Sequence, residues 1–133
     1  MIQKIHHVAI AVKSLDEALR FYRDTLGLPV HGQAVREDQG VKAAVLTIGQ
    51  SEVELLEPLG PDTPVGRFLE RRGEGLHHVC LQTDDIDKDL ADLKAKGVEL
   101  IDQEPRQGLV GRICFLHPRS TNGVLLELAQ PPD

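Results

Sequence analysis

Two segments constrain this chain more than any others: Ile5-His6-His7-Val8-Ala9-Ile10-Ala11-Val12 and Leu76-His77-His78-Val79-Cys80-Leu81-Gln82-Thr83. Each alternates like a half-buried strand, and His7 and His78 stand 71 residues apart. In the first copy Val8, Ile10 and Val12 share a face suited to a core. His7, Ala9 and Ala11 share the other, where two methyl groups predict an open floor in front of the imidazole. His6 and His77 point the opposite way and read as ordinary strand residues.

The correspondence extends beyond the strands. Ser14, Leu15, Leu19 and Tyr22 match Asp85, Ile86, Leu90 and Leu93 at the same offset of 71. Val53-Glu54-Leu55 returns as Leu126-Glu127-Leu128 at an offset of 73, and Pro58 and Pro131 follow. In the first copy a helix is predicted over residues 14–27, with Ser14 and Glu17 as a capping box and Gly27 as its left-handed end. Strands are predicted at 29–36, 41–48 and 53–57. In the second copy Asp85 opens a helix that Gly97 closes, and strands are predicted at 76–83, 98–101, 113–117 and 123–129. The fold class is therefore α+β: two βαβββ modules in tandem within a single domain, residues 1–133. Module one covers about 3–58 and module two about 75–130. The connector, 59–74, carries a short helix at 65–71. A repeat this long is a duplicated domain half, not a solenoid unit.

Bulk properties remove several function classes. A hydrophobic fraction of 41% excludes a disordered chain, and no apolar run approaches the ~20 residues of a bilayer span. A net charge of −6 without a basic cluster excludes nucleic acid as the expected partner. The first residues run straight into strand pattern, so no signal peptide is expected. Cys80 and Cys114 lie within apolar runs and read as reduced, buried thiols of a cytoplasmic protein.

The duplication also pairs residues of one chemical kind. His7 and Glu54 in the first half match His78 and Glu127 in the second. Each glutamate is bracketed by apolar neighbours, and a carboxylate facing a core is costly unless paired or metal-bound. Two imidazoles and two carboxylates suit one divalent transition metal with coordination positions left for substrate. Glu57, odd in register with Glu54, reads as solvated.

These segments resemble the vicinal oxygen chelate superfamily and, within it, the methylmalonyl-CoA epimerase family. The resemblance is carried by HHVAIAV (6–12), DEALRFYRDTLGL (16–28), QGVKAAVLTIG (39–49), VELLEPLG (53–60), GEGLHHVCLQTDDI (73–86) and FLHPRSTNGVLLELAQ (115–130). It implies sheets forming a U-shaped metal-binding cleft. It also implies epimerisation at C2 of an acyl-CoA by removal and return of a proton, through an enolate stabilised by a metal held by His7, Glu54, His78 and Glu127. The metal favoured is cobalt, with manganese, nickel or zinc also allowed.

Inversion needs proton-transfer groups on both faces of the planar intermediate. The family pattern points to Glu127 and to an acidic residue just before Gly40-Val41. Asp38 stands there where a glutamate is expected, Glu37 is its neighbour, and the alternative is a solvated turn. Gln82 is expected to line the cavity beside His78. Arg119, Ser120 and Asn122 read either as contacts to the substrate carboxylate or CoA tail, or as a surface turn. His117 reads as structural. A homodimer is expected. Alternative readings are a glyoxalase I-like lyase acting on a glutathione hemithioacetal, and a non-catalytic ligand-binding protein of the same fold.

Overall fold

A computed structural model describes residues 1–133. Its elements run β1 (Ile2–Ala11), α1 (Leu15–Leu19), β2 (Val30–Arg36), β3 (Val41–Ile48), β4 (Ser51–Pro58), α2 (Pro64–Arg72), β5 (Gly75–Thr83), α3 (Ile86–Ala95), β6 (Arg106–Gly108), β7 (Gly111–Leu116) and β8 (Leu126–Gln130). Contacts divide the chain into two units, residues 7–77 and residues 1–6 with 78–133.

In the 7–77 unit the strand order is β2-β3-β4-β1. β1 runs parallel to β4, with Ala9 opposite Glu54 and Ala11 opposite Leu56. β3 is antiparallel to both of its neighbours. A parallel pair needs a long crossover, which α1, β2 and β3 supply. Leu15 and Leu19 of α1 pack with Val12, Ala44, Leu46, Val53 and Leu55 on one side of the sheet. The other side carries Ala9, Ala11, Val41, Ala43 and Leu56, covered by Val65, Phe68 and Leu69 of α2. The open floor expected at Ala9 and Ala11 is therefore closed. Both alanines are 0% exposed, because the connector helix presents an apolar face that must be buried somewhere.

The first helix also departs from expectation. Ser14 Oγ accepts the Glu17 N–H at 3.2 Å, as the capping box requires. Past Leu19 the chain winds wider, as a π-helical segment over Arg20–Thr25. Leu26 N–H donates to Phe21 O at 2.8 Å, the i to i−5 pattern of that geometry, and the Thr25 hydroxyl donates to Arg20 O at 3.1 Å beside it. Gly27, at φ +76°, ends it, as Gly97 at φ +79° ends α3.

In the other unit the order is β5-β8-β7-β6. β5 is parallel to β8, with Cys80 opposite Glu127, the same station that Ala9 and Glu54 hold. Ile86 and Leu90 of α3 pack on Leu100, Cys114, Leu116 and Leu128. On the opposite side Cys80, Ile113 and Ala129 cluster with Val110 and Phe115. The strand expected at 98–101 is reduced to a single bridge between Leu100 and Leu116. Glu99 gives its N–H to Ser120 Oγ at 2.8 Å instead of to a strand, while Ile101 and Asp102 both donate to Phe115 O. β6 takes the edge, a segment whose Arg-Gln-Gly sequence carries no strand propensity.

Glu57 is not merely solvated. Its Oε1 accepts the Leu15 N–H at 2.7 Å, and Gln130 Oε1 accepts the Ile86 N–H at 2.9 Å in the second copy. Each β4-type strand thus ends by capping the first helical amide of its own module, one of the donors a helix leaves unmet. Ser14 and Asp85 satisfy the third residue, through Glu17 N–H and Lys88 N–H at 3.2 and 3.1 Å. Glu57→Ala is expected to cost about 1–2 kcal/mol by orphaning a partly buried amide. Glu57→Gln, which keeps an acceptor oxygen, is expected to cost less than half of that. Urea unfolding with unchanged m-value measures both, and equal losses for the two variants contradict the capping role.

Neither Cys80 nor Cys114 forms a disulfide, and both are buried, as expected from sequence. Burial pushes the Cys114 thiol up to about 12, so it stays protonated and unreactive at neutral pH. Iodoacetamide at pH 8 is expected to leave both cysteines intact in the native protein and to label both in denaturant, as read by mass spectrometry. No helix is long and apolar enough to cross a membrane.

Candidate functional site

His7, Glu54, His78 and Glu127 are the buried histidines and carboxylates of the chain, between 2% and 6% exposed. Strand alternation places them. His7 shares its face with Ala9 and Ala11, and Glu54 turns away from Val53 and Leu55, which belong to the α1 side. His7 lies two residues before Ala9, the station opposite Glu54, so the two side chains meet on a diagonal. His7 Nε2 and Glu54 Oε1 are 3.9 Å apart. The second unit repeats this: His78 lies two residues before Cys80, opposite Glu127, and His78 Nε2 lies 3.0 Å from Glu127 Oε1. It is the closer of the two contacts, at ion-pair distance.

Each pair sets an imidazole nitrogen against a carboxylate oxygen, atom types that bind divalent metals, away from bulk water. His7, Glu54 and His78 are possible metal-binding residues. A buried carboxylate is costly without a cationic or hydrogen-bonding partner, so the donor set fits a divalent cation.

The other expected site residues stand as follows. Asp38 is exposed in the turn Glu37–Gln39 and faces Arg36, with Nε to Oδ1 at 3.4 Å; Glu37 is exposed beside it. Gln82 donates from Nε2 to Gln3 Oε1 at 3.0 Å. Arg119 Nε lies 3.1 Å from Glu99 Oε2, and Ser120 Oγ accepts the Glu99 N–H. Asn122 sits at φ +60°, a left-handed turn position that asparagine tolerates. His117 Nδ1 accepts the Arg119 N–H at 3.1 Å and so opens a short helical turn over Pro118–Ser120, the structural role expected for it.

Sequence reasoning passed over Phe115. Its ring stands against the His78 imidazole at 5.3 Å between centroids, with planes at 89°. In the sequence it reads as one more apolar residue of a strand. Its position opposite Glu127 becomes visible only with the register of β7 on β8.

The class of protein follows from fold and sequence together. The family described as Glyoxalase/Bleomycin resistance protein/Dioxygenase superfamily matches residues 6–115. The ethylmalonyl-CoA/methylmalonyl-CoA epimerase of Cereibacter sphaeroides is 40% identical over 133 residues, covering 98% of this chain and 99% of that protein. The mitochondrial methylmalonyl-CoA epimerase of Mus musculus is 40% identical over 96% of this chain and 72% of its own length. A variant of Streptomyces coelicolor methylmalonyl-CoA epimerase, solved in complex with 2-nitronate-propionyl-CoA, superposes with a TM-score of 0.95 at 43% identity, covering all of both chains. The chain belongs to the glyoxalase superfamily and, within it, to the methylmalonyl-CoA epimerase family.

Proposed function

We propose that this chain interconverts the two configurations at C2 of methylmalonyl-CoA. The observation that carries the reading is the pair of buried His–Glu contacts at matching strand stations, His7 with Glu54 and His78 with Glu127. The C2–H lies between a thioester and a carboxylate. Its removal leaves an enolate whose negative charge must be held while the proton returns to the opposite face.

The four residues would hold one divalent ion, with cobalt favoured and manganese, nickel or zinc allowed. Such an ion supplies Lewis-acid stabilisation of the negative charge on the substrate oxygens, worth several kcal/mol. The remaining work belongs to the chain. Glu127 accepts or returns the proton on one face. The Glu37-Asp38 turn supplies the carboxylate for the other, with Asp38 the first candidate. Arg119, Ser120 and Asn122 hold the substrate carboxylate or CoA tail, and Gln82 lines the cavity. Two copies of the chain form a homodimer, the commonest symmetry among soluble homo-oligomers.

The test is deuterium exchange. Methylmalonyl-CoA is incubated with metal-loaded protein in deuterated water and C2 is followed by NMR. Wash-in of deuterium with loss of configuration supports epimerisation. Absence of exchange with every divalent metal removes it, and turnover of a glutathione hemithioacetal replaces it with a lyase. Asp38→Asn is expected to slow epimerisation about 100-fold or more, the usual contribution of a positioned acid–base group. Full activity in Asp38→Asn with loss in Glu37→Gln transfers that role to the neighbouring residue.

A further inference from the structure

The two His–Glu pairs are equivalent in register but not in surroundings. Opposite Glu54 on β3 stands Val45. Opposite Glu127 on β7 stands Phe115, on the face that also carries Cys80, Ile113 and Ala129. A β-branched aliphatic side chain offers a neighbour little directional preference. An aromatic ring does, because its quadrupole favours an edge-to-face partner. The Phe115–His78 contact has that geometry, with 5.3 Å between centroids and planes at 89°. The aromatic pair is also the tight one: Nε2 to Oε1 is 3.0 Å for His78–Glu127 against 3.9 Å for His7–Glu54.

Phe115 is itself held in place. Asp102 Oδ2 accepts the Phe115 N–H at 2.8 Å, and Asp102 Oδ1 accepts from Arg106 Nε at 3.0 Å. The Arg106 guanidinium in turn lies over the Phe115 ring, 5.7 Å from its centroid. One carboxylate therefore anchors both the backbone that carries the ring and the cation stacked on it. A side chain wedged in this way has few rotamers left, and a neighbour packed against it inherits the restriction.

We propose that Phe115, braced by Asp102 and Arg106, is a positioning residue that fixes the ring plane of His78 and thereby holds its Nε2 beside Glu127. The proposal rests on the reading of His78 as a metal ligand for its consequence in catalysis, but not for the effect on the ring itself. Fixed ligand orientation is what neighbouring groups contribute to metal affinity, and here an aromatic face supplies it from one half of the duplication.

The experiment has one arm without metal and one with it. In metal-free protein, long-range proton–nitrogen NMR of the His78 ring is expected to give a single sharp set of signals bearing the ring-current shift of Phe115. Phe115→Leu is expected to remove that shift and broaden or double the signals, and Phe115→Tyr to restore them. Unchanged His78 signals in Phe115→Leu overturn the proposal. In the second arm, cobalt is titrated and read by its visible absorption. Phe115→Leu is expected to bind about 10-fold more weakly, with displaced bands, and Phe115→Tyr to bind like the parent. Equal affinity and equal bands in Phe115→Leu overturn the proposal. Should Phe115→Leu fail to fold, Arg106→Met keeps the ring and removes the cation together with its hydrogen bond to Asp102. It is expected to broaden His78 in the same sense and to weaken cobalt binding about threefold, and an unchanged His78 spectrum in that variant is equally fatal. A parent protein that binds no cobalt removes the metal reading above, while the metal-free arm still decides the role of Phe115.

Discussion

Glu127→Gln is expected to abolish epimerisation at C2 of methylmalonyl-CoA, and C2 proton exchange in the configuration whose proton faces it, while leaving part of the divalent-metal affinity. The substitution keeps the shape of the side chain and one oxygen donor. It removes the negative charge and the ability to take up a proton. A residue serving only as a ligand loses affinity on such a change, and activity returns at saturating metal. A residue that also moves the proton loses 10²–10⁴-fold in rate that no metal concentration restores. Glu127 is 4% exposed, so water does not readily substitute for the missing base. The measurement is deuterium wash-in at saturating cobalt beside metal content after gel filtration. Recovery of the parent rate at high metal confines Glu127 to ligation. Glu54→Gln is the internal comparison, because Glu54 stands at the matching station with no proton-transfer role assigned to it.

How much of this was legible in the sequence follows from what repeats. His7, Glu54, His78 and Glu127 were visible because a strand displays alternate residues on one face, and each glutamate lies between two residues of the opposite, apolar face. The helix starts were visible because Ser14 and Asp85 are local caps that need no knowledge of distant partners. Glu57 was misread although the same repeat carried the clue. Its counterpart Gln130 shares an acceptor oxygen and nothing else, so its role as a cap on Leu15 was hidden by looking for charge. The closure of the floor at Ala9 and Ala11 depends on where α2 lands, and no periodicity within β1 encodes the position of a helix more than fifty residues later. The loss of the strand at 98–101 has the same origin. Val98 and Leu100 are good strand formers, but the Glu99 amide finds Ser120 first. Phe115 was seen as a member of a motif and not as a neighbour of His78, since that contact needs the β7–β8 register.

Stripping divalent metal with a strong chelator is expected to lower C2 exchange by about three orders of magnitude or more. Lewis-acid stabilisation of several kcal/mol corresponds to a tenfold rate change for each 1.36 kcal/mol, so the effect lies far outside assay scatter. Returning cobalt to the parent protein is expected to restore the rate. His78→Ala is expected to remain inactive after the same treatment, because it removes a ligand nitrogen and leaves the Glu127 carboxylate buried at 4% exposure without the imidazole 3.0 Å away. Loss of that imidazole is also expected to lower the stability of the same variant. His7→Ala breaks the looser contact at 3.9 Å and is expected to lose metal with a smaller stability penalty. Both variants test ligation, but only their difference tests whether the two halves of the duplication have diverged. Equal stability losses in the two histidine variants mean that the tighter contact of the second half carries no extra energy, and that the symmetry visible in the sequence extends to the energetics.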